Sequence, residues 1–262
     1  MPVTIRSGVC PRVGQVLNYD TVAAHYDATR GGVPRAEAAA AAVLGLIPSS
    51  ARTLLDIGCG TGLVTERIAL ARPGLGVFGT DFSYGMAQVA RQRIGAVALA
   101  DARRLPLPDA AVDAVGAVWL LHLLRGEGDV RAVVSEAARV LRPGGVFVTT
   151  VDKDAAHDVG SDIDEAFAPH LDADPSDSAD LIVRYGSEAG LDVVGEAHFR
   201  GHGQGQSPLS AAQKVREGYF ASRLNLPGTA AERLATVLTS LPEPDRPRAD
   251  PRYRLLALCA RD

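Results

Sequence analysis

The hydrophobic pattern of this 262-residue chain alternates between two periods. Short apolar runs, bounded by glycine, proline or acidic residues, are too short for helices and indicate buried strands. We predict seven such strands, at 53–57, 75–80, 96–100, 112–118, 146–151, 191–199 and 253–260. The run at 112–118 is apolar throughout, which is typical of a central strand in a parallel sheet. The length and the pattern together predict one large α/β domain with room for a small cap.

Apolar residues recur at helical spacing before and between these runs. We predict helices at 19–27, 35–46, 63–69, 127–141, 178–189, 210–224 and 230–240. Ser83 or Asp81 is positioned to cap a further helix after the second strand. Residues 1–14 contain proline and glycine, and we expect them to be loosely held.

A glycine-rich turn joins the first predicted strand to the next helix, in Asp56-Ile57-Gly58-Cys59-Gly60-Thr61-Gly62. Glycine permits a tight turn and a close ligand, and the helix start beyond it offers free N–H groups and a positive dipole end. A dinucleotide turn would need glycine at Leu63, and the Gly-Lys-Ser/Thr of phosphate-loop NTPases is absent. The turn therefore predicts a site for another nucleotide-like ligand, which Asp56 also faces. A tight turn that binds nothing is the alternative.

The charge and the cysteine content narrow the class of protein. A net charge of −4 argues against a general nucleic-acid footprint. Cys10, Cys59 and Cys259 form no Cys-x-x-Cys pair, which indicates a reducing, cytoplasmic compartment without a disulfide framework or a zinc site. We predict neither a signal peptide nor a membrane span.

Four motifs resemble those of the class I S-adenosylmethionine (SAM) dependent methyltransferases that act on small molecules. They are Asp-Ile-Gly-Cys-Gly-Thr-Gly at 56–62, Glu-Ala-Ala-Arg-Val-Leu-Arg-Pro-Gly-Gly at 136–145, Leu-Pro-Leu-Pro-Asp at 105–109 and Tyr-Asp-Thr-Val-Ala-Ala-His-Tyr-Asp at 19–27. The resemblance implies a Rossmann-like, seven-stranded, mostly parallel sheet with helices on both faces and an antiparallel last strand. It also implies SAM as the cofactor, with S-adenosylhomocysteine (SAH) as the product.

The same resemblance divides the chain into parts. Residues 1–48 would form N-terminal lid helices, and residues 49–262 the SAM-binding domain, with substrate-cap insertions at about 152–177 and 205–240. Acidic residues are frequent between 152 and 180, so we expect a solvated loop there. A cationic acceptor, or a metal held with His157 and His170, is the alternative. We predict no metal site, because no ligand pair has helical spacing.

The residues that would contact SAM are carried over position by position from the resemblance. Asp81 would accept hydrogen bonds from the ribose hydroxyls, with helix capping as the alternative. Asp101 and the backbone N–H of Ala102 would bind the adenine. Met86 would lie beside the adenine and Tyr26 beside the methionine part; for both, core packing is the alternative. The implied cofactor set is Asp56, Gly58, Gly60, Gly62, Asp81, Phe82, Met86, Asp101, Ala102 and Tyr26.

The end of the fourth strand is where this family commonly places the residues that face the nucleophile. His122 would be a general base, or else a packed core residue. Arg216 or Arg223 would bind an anionic acceptor, or else lie on the surface. The implied substrate pocket is Tyr26, Trp119, His122, Arg216, Tyr219 and Arg223.

The sequence is consistent with three functions. The first is methyl transfer from SAM to an oxygen, nitrogen or carbon of a small-molecule acceptor, with neither nucleic acid nor membrane as partner. The second is methylation of RNA or protein, which the acidic balance and the missing basic stripe disfavour. The third is SAM binding without methylation, because cofactor motifs report binding rather than turnover.

Overall fold

A single mixed β-sheet forms the centre of the protein. The computed structural model describes residues 18–124, 127–171, 175–220 and 223–261. The seven strands are β1 (Thr53–Ile57), β2 (Gly76–Asp81), β3 (Val97–Leu99), β4 (Val112–Ala117), β5 (Leu141–Val151), β6 (Leu191–Arg200) and β7 (Arg252–Ala260). Their order across the sheet is β3-β2-β1-β4-β5-β7-β6.

The strand directions agree with the predicted Rossmann-like topology. Strands β1 to β5 run parallel, whereas β7 pairs antiparallel with both β5 and β6. The order reverses beside β1, between its neighbours β2 and β4. The carboxyl ends of β1, β2 and β4 therefore border one crevice, which is where open α/β sheets bind ligands. The predicted fold class is confirmed.

Helices cover both faces of this sheet and extend beyond it. They are α1 (Tyr19–Val22), α2 (Tyr26–Thr29), α3 (Gly32–Leu46), α4 (Leu63–Ala71), α5 (Tyr84–Ala90), α6 (Glu127–Val140), α7 (Asp162–Phe167), α8 (Ala179–Glu188), α9 (Pro208–Arg216) and α10 (Ala230–Thr239). Helices α6 and α8 bury apolar residues in one core cluster, and α3 and α4 in another. None of the helices in the described parts of the chain is long and apolar enough to cross a membrane.

The N-terminal segment differs from the predicted single helix at 19–27. Two one-turn helices, α1 and α2, flank a 3-10 turn at Ala23–His25. Helix α3 is not part of a lid, because Ala39, Ala40 and Val43 are buried against the sheet. We therefore use "lid" for residues 18–31 only. The predicted loose segment at 1–14 lies outside the described residues.

The acidic segment after β5 is folded, so the predicted solvated loop is wrong there. Its acids are used as helix caps and ion pairs: Asp164 and Ser161 form a capping box, and Asp162 pairs with Arg248. Ile163 and Phe167 are buried in a third core cluster with α9 and α10. We call residues 152–171 and 203–241 the "cap". Of this acidic segment, Asp172 and Asp174 lie outside the described residues.

Two further boundaries differ from the prediction for local reasons. Helix α9 ends at Arg216 instead of Leu224, because Gly218 takes a left-handed conformation with φ +71°. The Pro-Gly-Gly motif at 143–145 lies within β5 instead of before it. Leu141 pairs with Val112 and Val146 with Ala114, so the residues between Leu141 and Val146 bulge out of the ladder.

Candidate functional site

The glycine-rich turn between β1 and α4 requires three left-handed residues. Gly58, Gly60 and Gly62 have φ values of +66°, +56° and +76°, which side chains disfavour. A Cβ on Gly60 would meet no atom within 4 Å, so this residue borders open space. A Cβ on Gly62 would lie 3.1 Å from Ala90, so Gly62 serves the packing of α4 on α5.

Asp81, at the end of β2, is fixed by backbone groups from two elements. Its two carboxylate oxygens accept hydrogen bonds from the N–H groups of Gly60 and Ser83, each at 2.8 Å. The Ser83 hydroxyl accepts from Met86 N–H and thereby caps α5. Burial raises the pKa of Asp81, whereas the backbone donors lower it. The carboxylate therefore joins the glycine-rich turn to α5 and keeps lone pairs for further donors.

Asp56, at the end of β1, is buried beneath the turn. One of its oxygens accepts a hydrogen bond from the Thr65 hydroxyl on α4. The pKa of Asp56 is raised to about 7, chiefly by burial; the Thr65 hydrogen bond opposes this rise, and the nearby Asp81 adds to it.

A cavity of about 440 Å³ opens between the carboxyl ends of β1, β2 and β4, and we call it the inner crevice. Nine of the ten residues predicted to contact the cofactor line it, namely Asp56, Gly58, Gly60, Asp81, Phe82, Met86, Asp101, Ala102 and Tyr26. The tenth, Gly62, does not line it, because its α-carbon faces Ala90. Phe82 is 77% exposed at the rim, whereas Met86 is 2% exposed.

Asp101 lines the inner crevice, but its carboxylate is already engaged. The Arg103 guanidinium and backbone N–H donate to both oxygens at 2.7–3.1 Å. These hydrogen bonds are the largest cause of the lowered pKa of Asp101. Arg103 also pairs with Asp129 at 2.8 Å. A ligand amino group would therefore compete with Arg103 for this carboxylate.

Two carboxylates, which the sequence analysis missed, hold the lid against the glycine-rich turn and α5. Asp27 accepts from the Thr61 hydroxyl at 2.7 Å and pairs with Arg93 at 2.7 Å. Asp20 accepts from Ser83 Oγ at 2.6 Å and from Gly85 N–H at 2.8 Å. The lid therefore contains two Tyr-Asp pairs, Tyr19-Asp20 and Tyr26-Asp27. In each pair the aspartate anchors the lid and the tyrosine lines the cavities.

A second cavity, of about 720 Å³, lies between the lid, the end of β4 and the cap; we call it the outer chamber. The two cavities share the residues Tyr19, Tyr26, Arg35, Trp119 and Leu123. We call this shared boundary the junction. Tyr19 and Arg35 are junction residues that the sequence analysis did not select.

Trp119 follows β4 in a conformation that is rare for a side chain of its size, with φ +58°. Its backbone N–H donates to Thr150 Oγ1 at 2.8 Å. Its ring makes edge contacts with Phe199 and Tyr253, and the Arg35 guanidinium lies 3.9 Å from the ring centroid. The buried indole Nε1 has no hydrogen-bond partner among the described residues. An indole N–H therefore remains available at the junction.

His122 lines the outer chamber and is neutral. Burial lowers the pKa of His122 well below its usual value, and the neighbouring cation Lys153 lowers it further. Its buried Nδ1 has no hydrogen-bond partner within the described ranges. His122 was predicted to be either a general base or a packed core residue. The structure shows a neutral imidazole in the wall of the chamber, and both roles remain predictions.

A hydrogen-bonded row of side chains, also missed from the sequence, crosses the outer chamber. The Tyr253 hydroxyl donates to Gln204 Oε1 at 2.8 Å and lies 3.2 Å from His157 Nε2. Burial lowers the pKa of His157, so this ring is neutral as well. No group of three metal-ligating side chains occurs in the part of the chain that the structure describes.

The three cap residues predicted to face the substrate separate into two sets. Tyr219 and Arg223 line the outer chamber. Arg223 is 6% exposed, lies 3.9 Å from Asp164 and leaves its Nε without a partner among described groups. Arg216 does not line the chamber; it pairs with Glu232 on α10 at 3.1 Å. Expecting Arg216 in the pocket was therefore wrong, because α10 covers that face of α9.

Comparisons with known proteins agree with this geometry. Residues 55–149 match the family model of a methyltransferase domain. The chain is 36% identical over 104 residues to a demethylmenaquinone methyltransferase of Symbiobacterium thermophilum, covering 36% of this chain and 40% of that protein. It is 32% identical over 134 residues to a tRNA (carboxymethyluridine(34)-5-O)-methyltransferase of Arabidopsis thaliana, covering 51% of this chain and 31% of that protein. The chain spans about half or less of the length of the curated relatives it matches.

The solved structures show how widely the fold is shared. The cyclase SpnF superposes with a TM-score of 0.58 at 20% identity, over 93% of each chain. At this identity the likeness establishes the fold alone. Residues 55–149 therefore form a methyltransferase domain of the SAM-dependent class, and the glycine-rich turn and the strand order agree with this match.

Proposed function

We propose that the protein transfers a methyl group from SAM, bound in the inner crevice, to a small molecule bound in the outer chamber. The observation that carries this proposal is the junction, where two cavities of unlike chemistry meet at Tyr26 and Trp119. A transfer between two ligands requires such an opening, and it requires both ligands to be held in line.

The inner crevice has the groups that SAM needs. Asp81 offers carboxylate oxygens to the hydroxyls of a ribose, and Gly60 leaves its backbone open to a ligand. Phe82 and Met86 supply an aromatic and a thioether surface for an adenine. Arg35 lines the crevice at its junction end and has no carboxylate partner in the described ranges, so it suits the methionine carboxylate.

SAM supplies a methyl group on a sulfonium, which is activated before the protein acts. The residues of this chain therefore mainly hold the acceptor and exclude water. The lid and the cap cover the junction, and Tyr19, Tyr26 and Trp119 form its walls. Neutral His122, whose Nδ1 has no hydrogen-bond partner among the described residues, lies in the chamber and would take a proton from the acceptor.

A small-molecule acceptor is supported by the enclosure of the outer chamber. Its walls come from four parts of the chain, at 18–35, 119–123, 153–167 and described residues between 203 and 253, which surround a volume of about 720 Å³. The unpaired Cys59 and Cys259 support the proposal of a reducing, cytoplasmic location. A protein or RNA acceptor is the second candidate, favoured by the relative that acts on tRNA.

Calorimetry with SAH and NAD, followed by a transfer assay with SAM, tests this function. We expect SAH to bind and NAD not to bind, because Leu63 stands where a dinucleotide turn requires glycine. Methyl transfer to members of a small-molecule panel, detected by mass spectrometry, would support the first candidate. Transfer only to tRNA or protein would replace it by the second, and NAD binding without SAH binding would contradict both.

A further inference from the structure

The outer chamber is rich in cations, and three of them form no ion pair with any residue that the structure describes. Its lining contains the cations Arg30, Arg35, Lys153, Lys214, Arg223 and Arg248, and the carboxylates Asp164 and Glu217. Lys153 and Arg248 are neutralised by Asp154 and Asp162. Within the described ranges, no ion pair forms at Arg30, Arg35 or Lys214, although all three are close to other positive groups.

Two of these cations converge on one aromatic ring. The Arg30 guanidinium lies 4.4 Å from the centroid of the Tyr219 ring, and Lys214 Nζ lies 5.1 Å from it. Lys214 donates to Gln206 Oε1 at 2.6 Å, which leaves other N–H groups of the ammonium for a ligand. Burial lowers the pKa of Lys214 and the charge of Arg30 lowers it further, whereas Glu217 partly opposes this shift. Contacts with a ring offset only part of the repulsion between like charges.

The two cations belong to different parts of the protein. Arg30 follows α2 in the lid, whereas Lys214 is on α9 in the cap. The Arg30 guanidinium also lies 5.4 Å from the ring of Tyr26, a junction residue. An anion between Arg30 and Lys214 would thus touch the lid and the cap together, close to the point of transfer.

We propose that the acceptor carries an anionic group, a carboxylate or a phosphate monoester, which Arg30 of the lid and Lys214 of the cap bind together beside Tyr219. This inference rests on the proposed function and adds the chemical class of its acceptor. The rings of Tyr19, Tyr26 and Trp119 then receive the body of the molecule, with the nucleophile at the junction. Binding of the anion also joins the lid to the cap over the reacting groups.

Calorimetry on the SAH-loaded protein tests this assignment with matched probes. The charged probes are 4-hydroxybenzoate and phenyl phosphate, and their neutral counterparts are methyl 4-hydroxybenzoate and phenol. We expect at least one charged probe to bind about 10-fold or more tightly than its counterpart, because charge-assisted hydrogen bonds add to the ring contacts. The two charged probes also distinguish a carboxylate site from a phosphate site.

Five variants connect the preference to the proposed residues. Arg30→Gln and Lys214→Gln should each weaken binding of the charged probe about 10- to 100-fold and leave the neutral probe unchanged. Arg216→Gln, on the same helix as Lys214 but paired with Glu232 outside the chamber, is the matched control and should change neither. Arg30→Lys and Lys214→Arg, which keep the charge, should retain most of the preference and show that the fold tolerates both positions.

Equal binding of charged and neutral probes would overturn the inference, and so would no detectable binding of either charged probe. An equal loss of affinity in the Arg216→Gln control would overturn it as well. These outcomes leave the proposed function intact if SAH binds in the same experiment. If SAH fails to bind, the proposed function fails, and the same titrations on the SAH-free protein still decide whether the anion site exists.

Discussion

The inner crevice and the outer chamber adjoin each other but are built in different ways. The crevice is shaped by backbone: three left-handed glycines and the ends of parallel strands, with the acids Asp56 and Asp81 fixed by local donors. The chamber is shaped by side chains from the lid and the cap, with cations in excess. The contrast explains how one fold can keep its cofactor while its acceptor changes: the first site depends on the sheet, and the second on insertions.

Removing the carboxylate of Asp81 should give the largest effect, and it should be confined to the crevice. In Asp81→Ala, the ligand hydroxyls lose their acceptor, and the N–H groups of Gly60 and Ser83 lose theirs. We expect SAH binding to weaken by about 1.5–3 kcal/mol, the range for hydrogen bonds to a charged group. Calorimetry should show an unchanged affinity for phenyl phosphate.

Asp109→Ala is the control for this variant, because Asp109 is an exposed acid that pairs with Arg139 away from both cavities. Wild-type SAH affinity in Asp81→Ala would mean that Asp81 is only a turn residue.

A pair of glycine substitutions should separate backbone strain from ligand contact. Gly60 and Gly144 are both left-handed, and in both a Cβ would meet no atom within 4 Å. Alanine at either position should therefore lower the free energy of unfolding by a similar amount, about 1–2 kcal/mol. SAH binding should weaken only in Gly60→Ala, because Gly144 lies in the bulge of β5. Equal SAH affinity in the two variants would show that Gly60 does not border the cofactor.

Loosening the lid should weaken both sites together. In Asp27→Asn, the ion pair with Arg93 is lost and the bond from Thr61 is weakened. The pair is partly exposed, so we expect about 1 kcal/mol or less at each site. Calorimetry with SAH and with phenyl phosphate should show both losses, because Tyr26 lines both cavities. A loss confined to one ligand would contradict a lid shared by the two sites.

The acid sensitivity of the chamber should be the smallest of these effects. Because folding lowers the pKa of His122 and His157, their contribution to stability is fully present above the unfolded pKa of about 6.5. It is lost progressively as the pH falls below about 6.5 and through the lower folded-state pKa values. The melting temperature should therefore fall less between pH 7.5 and pH 5.5 in a His122→Gln/His157→Gln variant than in the parent. An identical fall in both proteins would mean that the histidines are not buried in their neutral form.

The crevice could be predicted from the sequence because its residues follow a local pattern. Gly58, Gly60 and Asp81 are recognisable from a strand, a turn and a helix within about thirty residues, and all three line the cavity. Gly62 follows the same pattern, but it packs against Ala90 instead of lining the cavity. The spacing of the glycines does not show which of them face the ligand and which face a neighbouring helix.

The chamber could be predicted only in part, because its contacts join distant segments. Arg30 contacts Tyr219, and His157 contacts Tyr253. The two residues of each pair are about 100 or more positions apart in the sequence, so a local hydrophobic pattern cannot predict their contact. The expectation for Arg216 failed because α9 ends there and α10 covers its face. Asp20 and Asp27 belong to the motif at 19–27, but the motif does not show which groups they bind; the folded lid does.

Trp119 is the only tryptophan of the chain, and it lies at the junction. Its fluorescence therefore tests most directly whether two ligands meet there. We predict that SAH and phenyl phosphate each change the emission when added alone, and that each still binds when the other is saturating. Competition between the two ligands, or emission that neither ligand changes, would contradict an inner crevice and an outer chamber that meet at Trp119.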